Sequence, residues 1–97
     1  MSTNTLLQPS QAGTLESGDI QIFLSPAADA AAGISIHLTS PVLKKFGSAI
    51  RSVLTQELAQ AGLTQVEVTA NDRGALDCTI RARILTAIER GTTKEDN

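Results

Sequence analysis

Aromatic side chains are nearly missing from this chain: Phe23 and Phe46 are the only two among 97 residues, with no Trp and no Tyr. A surface that stacks nucleic-acid bases needs aromatic platforms, so that class is disfavoured and the core must be aliphatic. Cysteine and histidine occur once each, as Cys78 and His37. One of each builds neither a structural zinc site nor a disulfide framework. No apolar run approaches the ~20 residues of a membrane span. The first residues carry no base and no apolar stretch, the two marks of a signal peptide. Charge of one sign is not in excess either, since eight bases against ten acids leave −2. That balance speaks against general nucleic-acid binding. These absences point to a small soluble protein, expected in the cytoplasm, with no nucleic-acid or membrane partner.

What is present suffices for one domain. Apolar residues make up 41 % of the chain, although a chain this short buries only roughly 60–65 % of its unfolded surface. The charges are unevenly placed. Residues 1–43 hold Glu16, Asp19 and Asp29 and no base, whereas all eight bases fall in residues 44–97. Ordinary solvated faces account for this pattern. The alternative is an acidic N-terminal hairpin that a basic partner reads.

Residues 1–11 are polar and aperiodic and read as a mobile tail. Ile20, Ile22 and Leu24 alternate with Gln21 and Phe23, the signature of a half-buried strand from Asp19 to Leu24. Ala12 to Leu15 is a plausible partner strand. Between them, Glu16-Ser17-Gly18 reads as a hairpin tip with Ser17 exposed, because Gly18 can take a positive φ. Ser25-Pro26 ends the strand, and residues 27–33 form a small-residue loop. Ile34, Ile36 and Leu38 mark the next strand. Ser40-Pro41 reads as a helix start, with Ser as cap and Pro in the first helical position. The stripe Val42/Leu43, Phe46, Ala49/Ile50, Val53/Leu54, Leu58 and Ala61 then predicts a long amphipathic helix that Gly62 ends. Val66, Val68 and Ala70 predict another strand, and Asn71 to Gly74 is turn chemistry. Residues 76–88 fit both periods. The reading adopted is a short hairpin at Ala75-Leu76, a cap at Asp77 and a helix from Cys78 to Arg90 that Gly91 ends. One domain over residues 12–91 with a tail at 92–97 follows. The fold class is α+β: a two-layer sandwich in which a small, mainly antiparallel sheet carries two helices on one face. Gln21, Phe23, Ser35, His37, Glu67 and Thr69 then face outward.

The residues offer little for catalysis. His37 sits on an outer strand face, Ser17 lies in no nucleophile elbow, and Cys78 falls on an apolar stripe, where it reads as a small buried hydrophobe. Gly33 and Gly74 are isolated, so no phosphate-cradling loop exists. Nothing supplies catalytic residues or a metal site.

Three separated blocks carry a resemblance: Ala12-Gly13-Thr14-Leu15-Glu16-Ser17-Gly18-Asp19, then Phe46-Gly47-Ser48-Ala49-Ile50-Arg51, then Asp72-Arg73-Gly74-Ala75-Leu76-Asp77-Cys78 with Arg81-Ala82-Arg83 behind it. In this order, over about residues 10–90, they resemble the acyl carrier protein of citrate lyase, its gamma subunit. Arg73 departs from the pattern where a Lys is at least as common. The resemblance implies a carrier rather than a catalyst. In that family the serine matching Ser17 is linked through a phosphodiester to phosphoribosyl-dephospho-coenzyme A, whose thiol holds an acetyl group. The alpha subunit exchanges acetyl for citryl and the beta subunit cleaves the citryl thioester to oxaloacetate. The implied partners are the alpha and beta subunits and a prosthetic-group transferase. Glu16, Gly18 and Asp19 flank the attachment serine, and the two acids suggest that whatever docks there is basic. A related carrier, that of malonate decarboxylase, shares the arm and the mechanism. An unmodified interaction subunit is the alternative from another class.

Overall fold

The computed structural model describes residues 4–29 and 33–93. Its elements are β1 (Ser10–Ala12), β2 (Ile20–Pro26), β3 (Ile34–Thr39), α1 (Leu43–Gln60), β4 (Val66–Asp72) and α2 (Asp77–Thr92). The four strands form one sheet in the order β1-β2-β4-β3. β2 pairs antiparallel with β1 and β4, whereas β3 runs parallel to β4. The parallel pair follows from α1. A helix laid across the sheet returns the chain to the end where β3 began, so the next strand runs the same way.

The period-two pattern decides which face is covered. Ile20, Ile22 and Leu24 of β2, and Val66, Val68 and Ala70 of β4, are fully buried beneath the helices. The helices contribute Ile50, Val53, Leu54 and Leu58 from α1, and Ile80, Ile84, Ala87 and Ile88 from α2. Each fully buried aliphatic side chain stabilises by about 1.5–3 kcal/mol. On the opposite face Gln11, Phe23, Thr69 and His37 stand in one row across all four strands. His37 and Glu67 approach to 3.8 Å there, both largely exposed, a contact worth little in water.

An arginine from a helix occupies one carbonyl on each sheet edge. Arg51 on α1 donates to the Ile36 carbonyl of β3 at 2.9 Å, and Arg90 on α2 donates to the Gln11 carbonyl of β1 at 2.8 Å. Occupied edge carbonyls offer less to a foreign strand.

Several expectations need correction. Residues 4–11 are not a free tail. Leu6 is buried, the Leu7 amide donates to the Gly91 carbonyl at 2.8 Å, and β1 starts at Ser10 rather than Ala12. Gly91 does not end α2 but lies buried inside it. A Cβ there would overlap Leu6 Cδ1 and sit 2.9 Å from Ser10 Oγ. The missing side chain is what lets the N-terminal segment lie on the helix. α1 starts at Leu43, with Val42 rather than Ser40 at its N-cap position. Asn71 and Asp72 belong to β4, and Ala75-Leu76 form no hairpin. Residues 30–32 of the expected loop, and 1–3 and 94–97 of the expected tails, lie outside the described residues.

Gly91→Ala tests this packing by sign. Alanine is the better helix former by about 1 kcal/mol, so an unobstructed site would gain stability. The expected result is no gain in melting temperature and lost hydrogen-exchange protection at the Leu7 amide. A stabilised variant with Leu7 still protected would contradict the packing.

Candidate functional site

The pairing register gathers the three sequence blocks at one end of the sheet. Ile20 at the start of β2 pairs with Asp72 at the end of β4, and Thr39 at the end of β3 pairs with Asn71. The 13–19 loop, the start of α1 and the 73–76 turn that leads into α2 therefore lie together.

Ser17 occupies the outer corner of the 13–19 loop and is exposed. The Asp19 amide donates to the Glu16 carbonyl at 3.0 Å, closing a four-residue turn with Ser17 and Gly18 at its centre. Gly18 has φ +84°, the value a type II turn demands at this position and one that L side chains resist. A Cβ on Gly18 would meet nothing within 4 Å, so the space on that side of the turn is open. The turn is nevertheless fixed. Gly18 donates its amide to the Arg73 carbonyl at 2.7 Å, and the Arg73 amide donates to the Asp19 carbonyl at 2.9 Å.

Asp19 is the buried anchor of the loop. Its carboxylate accepts from Arg83 Nε and Nη2, both at 2.9 Å. It also accepts from the Thr14 hydroxyl at 2.7 Å, the Thr14 amide at 3.1 Å and the Ile20 amide at 2.7 Å. The Arg83 hydrogen bonds hold the carboxyl well below the usual carboxylate range, with burial opposing and Thr14 and Ile20 adding to the effect. Arg83 is pushed up in turn by Asp19. Asp19 is therefore not a free acid presented to a basic partner. Glu16 is exposed, and of the two expected flanking acids it alone is free to serve that purpose. Arg83 was visible as a residue but not as the partner of Asp19. The available signal is its place beside the Ile80/Ile84/Ala87 stripe, where a long cation borders the sheet.

A second carboxylate closes the other side. Asp72 is buried and accepts from the Ser40 hydroxyl at 2.7 Å and the Ala75 amide at 2.9 Å. Ser40 Oγ in turn accepts from the Val42 amide at 3.1 Å. The serine read as a helix cap thus joins the β3–α1 junction to the end of β4. Arg81, from the third block, donates to Glu57 at 2.8 Å and ties α2 to α1. Cys78 is an exposed thiol, not a core residue. His37 lies on the open sheet face, away from Ser17. Among the described residues no side chain that could deprotonate Ser17 hydrogen-bonds to it, so the arrangement offers an accessible hydroxyl on a rigid support rather than an activated nucleophile.

The Asp19–Arg83 pair predicts an acid dependence. The unfolded chain takes up a proton on this carboxyl near pH ~3.9, whereas the folded hairpin resists until lower pH. The stabilisation is complete above that value and is lost as pH falls through the folded one. Asp19→Asn is expected to cost about 2–3 kcal/mol near neutrality, as broken charge-assisted hydrogen bonds do. The gap to the unaltered protein should narrow between about pH 5 and about pH 3, measured by urea unfolding. A gap independent of pH would exclude the ion pair as its source.

Comparison with known proteins gives concordant relatives. The family model described as malonate decarboxylase delta subunit (MdcD), an acyl carrier protein family, matches residues 7–91. The citrate lyase acyl carrier protein of Lacticaseibacillus casei (strain BL23) is 55 % identical over 84 residues, 87 % of this chain and 80 % of that protein. Its counterpart in Lactobacillus acidophilus is 49 % identical over 85 residues, 88 % and 84 % of the two chains. Among solved structures, a chain of a Pseudomonas malonate decarboxylase hetero-tetramer in complex with malonate has the same fold. The TM-score is 0.75 at 18 % identity, over 92 % of this chain and 89 % of that one.

Proposed function

The chain belongs to the acyl carrier protein family of citrate lyase and malonate decarboxylase, and from that premise we propose that it is the carrier subunit of a citrate lyase with Ser17 as its attachment residue. The observation that carries the reading is the exposed Ser17 turn, pinned through Gly18 to Arg73 and through Asp19 to Arg83. Several relatives near half identity over most of the chain bear the citrate lyase name, which favours citrate over malonate. The family description and the shared fold favour the malonate decarboxylase carrier as the second reading.

The group proposed at Ser17 is phosphoribosyl-dephospho-coenzyme A, in phosphodiester linkage. When bound it supplies a thiol on which an acyl group rides as a thioester. The residues present fit such a group. Ser17 is exposed and the position a Cβ would take on the neighbouring Gly18 meets nothing within 4 Å, which supports access by a transferase and room for a substituent. The chain's own task is mechanical. The bonds from Asp19 and Arg73 keep the turn in one conformation, so the link always starts from the same point. Tethering then raises the local concentration of the carried group at each partner toward the mM range. The proposed partners are the alpha and beta subunits of citrate lyase and the transferase that modifies Ser17.

Intact mass of the chain purified from its host tests this directly. The expected result is an added mass of a coenzyme-like arm, mapped by peptide fragmentation to Ser17. An unmodified chain in an active citrate-cleaving complex would overturn the reading. Activity toward malonate in place of citrate would select the second reading.

A further inference from the structure

Beside the Ser17 turn lies a groove of about 400 Å³ that the carrier reading leaves unused. Phe46, Ala49 and Ile50 of α1 line one wall, and Ala75 and Leu76 line the other, with Asp77 among its polar groups. Two large apolar side chains stand open to water at its walls, Leu76 at 72 % and Phe46 at 45 % exposure. The groove begins where the Ser17 turn is tied down. Gly18 donates to the Arg73 carbonyl at 2.7 Å, and the next residue, Gly74, already lines the groove. The Arg73 side chain pairs with no other described residue.

We propose that this groove is a resting site for the arm attached at Ser17, with Arg73 pairing with the phosphate at the attachment and the apolar walls covering the uncharged stretch beyond it. The inference rests on the carrier reading above. The volume is that of a small-molecule site. Charge assigns the two portions. Asp72 and Asp77 disfavour a phosphate inside the groove, so the attachment phosphate stays on the Arg73 side, the uncharged ribosyl-adenosine stretch next to it lies along the walls, and the diphosphate further along the arm stays in solvent. Asp72 has both oxygens engaged, by Ser40 and Ala75, whereas exposed Asp77 is available to accept from the adenine amino group. Tethering means that modest burial suffices. A ligand held at mM effective concentration occupies a site of mM affinity about half the time. The arm therefore rests on its own carrier and leaves when a partner's active site offers more.

The test compares the full-length unmodified chain with the chain carrying its arm, by methyl NMR and mass. The expected result is that the methyls of Ala49, Ile50, Ala75 and Leu76 shift on modification, while the Leu7 methyls, at the far end of α2, do not. In the modified protein Leu76→Glu should return the Ala49 and Ile50 methyls toward their unmodified positions. Ala49→Gln, on the opposite wall, should do the same for Leu76. Both positions are exposed, so folding tolerates the changes, and the Leu7 methyls report it. An arm present on Ser17 by mass, with shifts confined to residues 16–19 and 73, would overturn the resting site and leave the carrier reading standing. An active complex whose chain carries no arm on Ser17 would overturn both.

Discussion

Ser17→Ala is expected to leave the fold intact and to abolish every acyl-transfer activity of the reconstituted complex. The first half follows from position. Ser17 is exposed, and neither of the two bonds that pin its turn, Gly18 to Arg73 and Arg73 to Asp19, uses its side chain. Surface substitutions of this kind stay within about ±0.5 kcal/mol. The second half follows from chemistry. Without the oxygen no phosphodiester forms, and no other residue near the turn replaces it. Thr14 is the nearest hydroxyl in sequence, but it donates to Asp19 at 2.7 Å and accepts from the Glu16 amide at 3.2 Å. It is part of the support. The measurement pairs a thermal melt with intact mass and a citrate-cleavage assay in the presence of the large subunits. Retained cleavage by a complex containing the variant would remove Ser17 from the mechanism. A collapsed melt would instead mean that the turn depends on the serine for its shape.

The strands were legible because each buries one face. Ile20/Ile22/Leu24, Ile34/Ile36/Leu38 and Val66/Val68/Ala70 alternate, and a half-buried sheet imposes that alternation. The sheet-facing stripe of α1 was legible for the equivalent reason at period 3.6, and Ile50 and Val53 are buried as the spacing requires. Leu43 and Phe46, counted in the same stripe, stay exposed. They precede the part of α1 that lies over the sheet, and Phe46 lines the groove instead. β1 was misplaced because three residues with one buried side chain carry no period. Its hold comes from α2, through Ser10 Oγ donating to the Ala87 carbonyl at 2.6 Å and through Arg90. Leu6 was read as tail because its pocket exists only where Gly91, far along the chain, lacks a side chain. Cys78 was misassigned by the ambiguity of its segment. In a helix, two positions from Ile80 is a rotation of about 200°, which turns Cys78 away from the core.

The candidate serine was legible and its anchoring was not. Glu-Ser-Gly announces an exposed turn through local chemistry alone. That Asp19 faces inward to Arg83 depends on how α2 crosses β2, a tertiary fact no local pattern encodes. The pairing removes one of the two acids from the surface around Ser17, while Arg73 stands beside it. The docking surface there is less acidic than the sequence suggested.

Gly13→Ala is expected to destabilise the protein by more than about 3 kcal/mol, far more than Gly18→Ala, although both glycines sit in the same loop at nearly the same φ, +86° and +84°. The shared part is the left-handed backbone, worth about 1–2 kcal/mol for a residue with a Cβ. The difference is what surrounds the missing atom. At Gly18 there is nothing within 4 Å. At Gly13 a Cβ would overlap the Ile20 carbonyl oxygen and come within 2.9 Å of its carbon. Neither atom can move cheaply. Ile20 is fully buried, its amide is held by Asp19 at 2.7 Å, and its strand is paired with β4 from this residue onward. Relief has to come from lifting residue 13 away. That strains the Thr14 bonds to Asp19 and the Gln11 amide bond to the Gly13 carbonyl at 2.8 Å. For a small domain with a stability of roughly 5–10 kcal/mol, this is a large fraction. Urea unfolding of the two variants side by side measures it, and hydrogen exchange should show the Thr14 and Ile20 amides losing protection first. Equal losses for the two variants would mean that the loop is free to reshape at Gly13 and that the Ser17 turn is not rigidly mounted.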